Sequence, residues 1–195
     1  MVTAAREVGV HKPPQLDERR FKELALYIAL KCAESPYFGV VKWNKVLFYC
    51  DFLAYGILGK SITGATYTKQ PLGPGATPLK GISEQMRETR ELGMEPRPWR
   101  DEVQERPVAL REPDLTLFSG AEIALVDEVI KATFDASGNV MSLISHAERG
   151  WSLALPGEPI PYHTVFLRSK PWTREEIAHA REVISAHGGR ATAAA

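Results

Sequence analysis

Apolar side chains recur every three or four residues along much of the chain, which is the pattern of amphipathic helices. The first such segment runs from about Asp17 to Ala33, and Asp17 is placed to cap its first turn. A second helix is predicted from about Lys42 to Leu58. It is apolar almost all round, which is typical of a helix at the centre of a core. The apolar stripe of the first helix comprises Phe21, Leu24, Ala25, Ile28 and Cys32.

The middle of the chain changes character. Between residues 59 and 78, β-branched and aromatic residues are interspersed with glycines and prolines, which favours extended chain. A third helix is predicted from about Pro78 to Leu92, with Gly93 as its stop. The proline-rich stretch that follows, up to residue 110, predicts a weak β-hairpin or an extended loop that is confined to edge positions.

The C-terminal half returns to helical patterning. Ser119 and Glu122 have the spacing of a capping box, which opens a fourth helix. A short helix is expected from about Val140 to Arg149. A second capping box at Thr173 opens a last helix to about His187. The predicted fold class is mainly α: a compact bundle of five to six helices with a small β-hairpin or extended element in the middle of the chain.

The composition is that of an ordinary globular protein. Of the 195 residues, 44% are hydrophobic and 25% are charged. We expect a flexible arm at 1–16, a single domain at 17–187 and a flexible tail at 188–195. Basic and acidic residues number 24 each, so the strong positive charge typical of a nucleic-acid binder is missing.

The sequence favours a protein of the reducing cytoplasm. The pattern of a signal peptide is not visible, and no apolar run reaches the ~20 residues of a membrane span. Cys32 and Cys50 each lie among apolar residues, and we interpret them as buried, reduced thiols.

Motifs for metal, nucleotide or cofactor binding are also missing. The glycines around Gly73 do not form a phosphate loop, and the five histidines are far apart. His146 lies near Ser142 and Ser145, but the G-x-S-x-G elbow of a serine hydrolase is not present. We therefore interpret His146 as a packed residue or a partner contact rather than a catalyst, and we expect neither an enzyme nor a cofactor.

Charged and aromatic residues leave some alternatives open. Lys42, Lys45 and Asp51 are interpreted as a solvated edge of the second helix, although the position of Lys45 does not settle its burial. Arginines between 87 and 106 could belong to a winged-helix element at 79–110 that reads DNA, but interleaved acidic residues favour a salt-bridged, solvated face. The tryptophans at or near loops could be buried or could anchor a partner; they are Trp99, Trp151 and Trp172.

Three motifs together resemble one known family, the Panacea or SocA-like antitoxin domain. Residues 42–51 resemble its K-L-x-K-L-L-Y-F-A opening, and residues 67–74 resemble its extended segment ending in Gly-Pro. Residues 143–151 resemble its L-S-x-x-x-H-x-E-x-x-W signature. The order and spacing match over about residues 20–167. Trp43 departs from the family pattern, which has a smaller aliphatic residue there, and the serine before His146 is displaced or duplicated.

The resemblance implies a bacterial or phage antitoxin that binds and silences a cognate protein toxin, usually encoded by the adjacent gene. It implies no catalysis and, because the family is paired with unrelated toxins, it does not name the target. A homo-oligomer is left open, membrane association is not expected, and nucleic acid is disfavoured as a partner. The residues carried over by the match are Lys45, Gly73, Pro74, His146 and Trp151. We expect partner contacts at 95–111, with Trp99, and at 151–162, with Trp151.

Overall fold

The computed structural model describes residues 14–99 and 102–167, together with positions 174, 175 and 178. Over these residues the fold is mainly α with two small antiparallel sheets, which confirms the predicted class. The helices are α1 (Glu18–Lys31), α2 (Val40–Leu58), α3 (Leu79–Glu88), α4 (Gly120–Thr133), α5 (Gly138–His146) and α6 (Arg149–Leu153). The strands are β1 (Tyr67–Gln70), β2 (Gly73–Ala76), β3 (Leu92–Trp99) and β4 (Glu102–Ala109). Two 3₁₀ turns cover Leu115–Leu117 and Tyr162–Phe166.

Helices α1 and α2 form the centre of the core, as the apolar stripes predicted. The Asp17 carboxylate accepts a hydrogen bond from the backbone N–H of Arg20 and so caps α1. Every residue of the predicted α1 stripe is completely buried. The indole N–H of Trp43 on α2 donates to the carbonyl of Ala25 on α1 at 3.0 Å. Helix α2 also packs against α4, α5 and β2, which makes it the central element.

The extended segments form two separate hairpins. Strands β1 and β2 pair from Tyr67 opposite Ala76 to Gln70 opposite Gly73. Strands β3 and β4 pair along their whole length, and Pro96, Pro98 and Pro107 all fall on alternate pairs of this register. The prolines therefore withhold N–H donors from one set of alternate positions only, which a two-stranded ribbon tolerates.

The third helix is shorter than predicted. It ends at Glu88, and Gly93 lies inside β3 instead of stopping the helix, so that expectation is wrong. Arg90 adopts a left-handed conformation with φ of 58°, which turns the chain out of the helix. Leu92 then begins β3, where its side chain is buried in the core. Burial of Leu92 in a strand thus overrides the helical period.

The second hairpin is attached to the core through Arg106. This side chain on β4 is buried, and its guanidinium donates to the carbonyls of Cys32, Ala33 and Ser35. These acceptors lie at and just beyond the C-terminus of α1, where backbone carbonyls lack helical partners and a cation is favoured. The expectation of a solvated, salt-bridged face is therefore wrong for Arg106.

The C-terminal half follows the predicted caps. Both hydrogen bonds of the Ser119–Glu122 capping box are formed. The Ser137 hydroxyl accepts from the N–H of Val140 and caps α5. Cys32 and Cys50 are buried and free, as expected. The helices of the described region are too short or too polar to cross a membrane. Of the last predicted helix, 173–187, positions 174, 175 and 178 are described, and all three are helical. The rest of that segment, Trp172, most of the N-terminal arm and the whole tail fall outside the described part.

Candidate functional site

Three charged residues of α2 point into the protein. Lys42, Lys45 and Asp51 are at most 2% exposed, so the expectation of a solvated edge is wrong. The Asp51 carboxylate accepts from the N–H and the hydroxyl of Thr63, at 2.7 and 2.5 Å, and from the Tyr67 hydroxyl at 2.8 Å. Burial raises the pKa of Asp51, and these hydrogen bonds oppose that rise. Asp51 therefore ties β1 and the segment before it to α2.

Lys42 joins α2 to the end of α4. Its ammonium donates to the Ser35 hydroxyl at 2.8 Å and to the carbonyl of Phe134 at 2.5 Å. Burial lowers the pKa of Lys42, because the charged form loses its hydration. These contacts identify Lys42 as a structural cation that is not available to a ligand in solvent.

Lys45 reaches the turn between β1 and β2. Its ammonium donates to the carbonyl of Pro74 at 2.8 Å, and within the described chain no carboxylate pairs with it. Burial lowers the pKa of Lys45 to about 8. Gly73 has a φ of +98°, and a Cβ there would lie 2.2 Å from the hydroxyl of Ser145 and 2.8 Å from Cε of Lys45. The turn therefore requires glycine on both conformational and steric grounds.

Two serines of α5 complete this packing. The Ser142 hydroxyl donates to the carbonyl of Leu72 at 3.0 Å, and the Ser145 hydroxyl donates to the carbonyl of Ser142 at 2.8 Å. Ser142 Oγ also lies 3.5 Å from Nε2 of His146. The Ser142 hydroxyl donates its proton to Leu72 and therefore does not donate it to His146. In a serine nucleophile activated by histidine, the hydroxyl would donate to the imidazole. Within the part of the chain that is described, no cluster of His, Cys, Asp and Glu could hold a metal ion.

His146 and Trp151 link α5 to α6. Their rings are stacked with centroids 4.0 Å apart and planes 12° apart. The Trp151 indole N–H donates to the carbonyl of Gln70 at 3.2 Å. The Lys69 ammonium lies 4.4 Å from the Trp151 ring and donates to the carbonyl of Ala154. Trp151 thus holds α6 against both α5 and the end of β1.

Five of the six residues singled out in the sequence meet at this place, which we call the turn junction. It comprises Lys45, Gly73, Pro74, His146 and Trp151, with Ser142 and Ser145 between them. Trp99 is not part of it: its backbone ends β3 in the other hairpin, and its side chain is outside the described set. Partner binding by these six residues stays a prediction. Their contacts show a junction that fixes α5 and α6 on the core.

Helix α5 has an inverted distribution of polarity. Its inner face carries Met141 and the two serines, whereas Val140, Leu143 and Ile144 are 45%, 70% and 51% exposed. Residues 136–147 contain no Asp, Glu, Lys or Arg. A helix that only covered a core would place these aliphatic side chains inward. The outward aliphatic face is therefore a candidate contact surface.

Two further exposed apolar residues adjoin this helix. Leu72, at the tip of the first hairpin, and Val103 on β4 are 54% and 67% exposed. Both line a groove of about 400 Å³ between β4 and the first turn of α5. We call Leu72, Val103, Val140, Leu143 and Ile144 the α5 surface. Val103 lies within the expected contact stretch 95–111, but sequence analysis missed the α5 part of this surface. The signal for that part is an uncharged segment whose aliphatic residues are spaced by three and four.

Comparison with known proteins adds the family. The model described as antitoxin SocA-like, Panacea domain, matches residues 43–152. This match covers more than half of the chain and includes most of α2, both hairpins and α5. No significant match was found among curated proteins or among solved structures. The matched segment contains every residue of the turn junction and of the α5 surface, and the chain therefore belongs to the SocA-like antitoxin family with the Panacea domain.

Proposed function

We propose that the protein is the antitoxin of a toxin–antitoxin pair and that it neutralises a protein toxin by direct, stoichiometric binding. Membership of the SocA-like antitoxin family supports a toxin as the partner. The gene next to the one for this protein is the first place to look for that toxin. The toxin would be inhibited because its functional surface is covered in the complex.

The inverted polarity of α5 is the observation that carries this proposal. Leu143 and Ile144 face solvent although serines occupy the buried face of the same helix. Exposed apolar area costs roughly 25 cal/mol per Å² relative to burial. A partner that covers Leu143 and Ile144 would remove this apolar area from water, so the outward aliphatic face supports a binding role.

Binding rather than catalysis suits the turn junction. Its polar groups, Lys45, Ser142 and Ser145, are at most 7% exposed, and each has a partner inside the protein. A substrate could not reach them without displacing the first hairpin. The family of SocA-like antitoxins is generally non-enzymatic. We therefore propose a role for the junction in holding the binding surface.

The nucleic-acid alternative gains no support from the second hairpin. Arg106 is buried against the end of α1, and Arg97 is 3.4 Å from the carboxylate of Glu95. Arg106 is therefore withheld from a phosphate, and the exposed Arg97 has a carboxylate beside it that opposes phosphate binding. The α5 surface has no cation at all, whereas DNA binders rely on several phosphate contacts.

We place this activity in the cytoplasm. The two cysteines, Cys32 and Cys50, are both free, and thiols persist in a reducing compartment. A protein toxin encoded by the adjacent gene would be synthesised in the same compartment.

Co-expression with the adjacent gene tests the proposal. The neighbour alone should arrest growth of a test bacterium, and this protein should restore growth and co-purify with it at a fixed ratio. Light scattering of the purified complex then gives the stoichiometry. A harmless neighbour contradicts the antitoxin role. Rescue of growth without a complex contradicts direct binding.

A further inference from the structure

We infer that the α5 surface binds an apolar helix of the toxin and that one large apolar side chain of that helix enters the groove between β4 and α5. This inference rests on the proposed antitoxin function and adds the place and the chemistry of contact. The sequence-based expectation placed the contacts at 95–111 and 151–162; the α5 surface shares Val103 with the first stretch and adds Leu72 and the residues of α5.

The charge distribution specifies an apolar partner face. The twelve residues 136–147 carry no charged side chain. Among the described residues that line the groove, Glu105 is the one charged residue, and the others are aliphatic, aromatic, glycine or uncharged polar. A partner that brought a charged side chain against residues 136–147 would lose hydration without gaining an opposite charge. The complementary face is therefore apolar where it meets α5, and a partner cation could pair with Glu105 on the β4 side.

Close packing at two glycines shapes the groove. Gly39, just before α2, lies under Gln104 of β4 so closely that a Cβ there would come within 2.6 Å of the Gln104 side chain. At Gly138, the first residue of α5, a Cβ would lie 3.3 Å from that of Val41 on α2. The α5 wall is thus packed directly on α2, whereas the β4 wall reaches the start of α2 through the Gln104 side chain. Because the α5 wall is held by the core, ordering it costs little conformational entropy on binding.

The groove is large enough for one aromatic side chain that projects from a helix of the partner. A volume of about 400 Å³ accommodates one phenylalanine or tryptophan side chain with room for its approach. Beside it, Val140, Leu143 and Ile144 form a ridge with i, i+3, i+4 spacing. Such a ridge packs into the groove between side-chain rows of another helix.

The exposed apolar area is sufficient for one side of a stable interface. The five residues of the α5 surface together expose on the order of 500 Å². One partner in a standard interface contributes ~800 Å², of which roughly 450 Å² is apolar. The surface therefore supplies the apolar centre, and polar residues around it, such as Asn139 and Gln104, can form the rim.

The test compares matched charge insertions in complexes with the adjacent gene's product. The double variant Leu143→Glu, Ile144→Glu places two carboxylates on the α5 surface. The control is Ile57→Glu on α2, because Ile57 is 69% exposed and lies at the far end of that helix from the groove. We expect the dissociation constant to rise at least 100-fold for the double variant and less than threefold for the control.

A second pair of variants tests the groove itself. Asn139 is exposed at the groove, so Asn139→Trp can fill it from within the protein, whereas Asn139→Ala leaves it open. We expect at least a tenfold weaker complex for the tryptophan variant and little change for the alanine variant. If Asn139→Trp binds the toxin as tightly as the wild-type protein, no side chain of the toxin enters the groove.

The outcomes separate this inference from the proposed function. If the wild-type protein binds the toxin and the double glutamate variant binds equally well, the surface is wrong and the antitoxin role stands. If the wild-type protein does not bind, both are overturned. Sedimentation of the free protein tests whether the α5 surface instead binds a second copy of the same chain. A dimer that dissociates in the double variant would assign the α5 surface to self-association and would also overturn the inference.

Discussion

The ammonium of Lys45 donates a 2.8 Å hydrogen bond to the carbonyl of Pro74, and both groups are buried. This bond crosses from α2 to the start of β2 in the first hairpin. At the neighbouring Gly73, a Cβ would lie 2.2 Å from the Ser145 hydroxyl of α5, so α5 packs closely on the same strand. A buried cation thus positions the helix that carries the α5 surface.

The first prediction concerns the pH dependence of stability. Burial lowers the pKa of Lys45 to about 8 from 10.5, so above pH 8 the unfolded state binds a proton that the folded state lacks. Stability due to this group therefore rises with pH in that range. Relative to Lys45→Met, the free energy of unfolding of the wild-type protein should increase by about 3 kcal/mol between pH 7 and 10.5.

Urea unfolding at several pH values measures this difference. Other groups that titrate in the range are common to both proteins, so their contributions cancel in the comparison. Parallel stability curves for the wild-type protein and Lys45→Met would show that Lys45 keeps its ordinary pKa in the folded state.

The second prediction concerns the glycine of the turn. Gly73→Ala should lower the free energy of unfolding by at least about 3 kcal/mol, because it adds a clash with Ser145 to the cost of a positive φ. Gly59→Ala is the matched control: Gly59 has a φ of +77° but open space around its Cβ. There we expect a loss of only about 1 kcal/mol. Chemical denaturation measures the free energy of unfolding of both variants. Equal losses in the two would show that the clash with Ser145 does not contribute.

The third prediction separates a positioning role of His146 from a catalytic one. His146→Phe keeps an aromatic ring against Trp151, whereas His146→Ala removes it. We expect His146→Ala to lose about 1 kcal/mol of stability and to alter the tryptophan fluorescence. His146→Phe should retain stability, fluorescence and toxin neutralisation. Loss of neutralisation in the well-folded phenylalanine variant would instead require a chemical role for the imidazole.

The fourth prediction concerns the attachment of the second hairpin. Arg106→Met should cost roughly 3 kcal/mol, because the buried carbonyls at the end of α1 lose a charged donor. Arg97→Met removes an exposed pair with Glu95 and should change stability by less than about 0.5 kcal/mol. Thermal and urea unfolding of the two variants give the comparison. If Arg106→Met had nearly the wild-type free energy of unfolding, water would have to donate the hydrogen bonds to these carbonyls.

Local signals in the sequence were sufficient for most elements of the fold. Asp17 and the Ser119–Glu122 pair cap the helices that they were predicted to cap, because a cap depends on residues within one turn. The α1 stripe is buried as predicted, since periodicity fixes which face of a helix is apolar. The end of α3 was misplaced, because the burial of Leu92 in a strand is a long-range requirement.

The candidate site was only partly accessible to the same reasoning. The family resemblance selected Lys45, Gly73, Pro74, His146 and Trp151, but their meeting depends on contacts between α2, the first hairpin and α5. Charged residues usually lie in solvent, so their type gave no reason to expect Lys42, Lys45 and Asp51 to be buried. Each is buried because a distant segment supplies its hydrogen-bonding partner.

The sequence by itself determined the helical class, the caps, the hairpin regions and the family, since these follow from periodicity, short-range chemistry and motif order. Only the tertiary structure decided that serines of α5 face inward while Leu143 and Ile144 face solvent. The reason is physical: Ser142 and Ser145 fit against the backbone of a tight turn at Leu72 and Gly73, where a leucine would clash. The aliphatic face is left outward by that packing, and it is there that we place the partner.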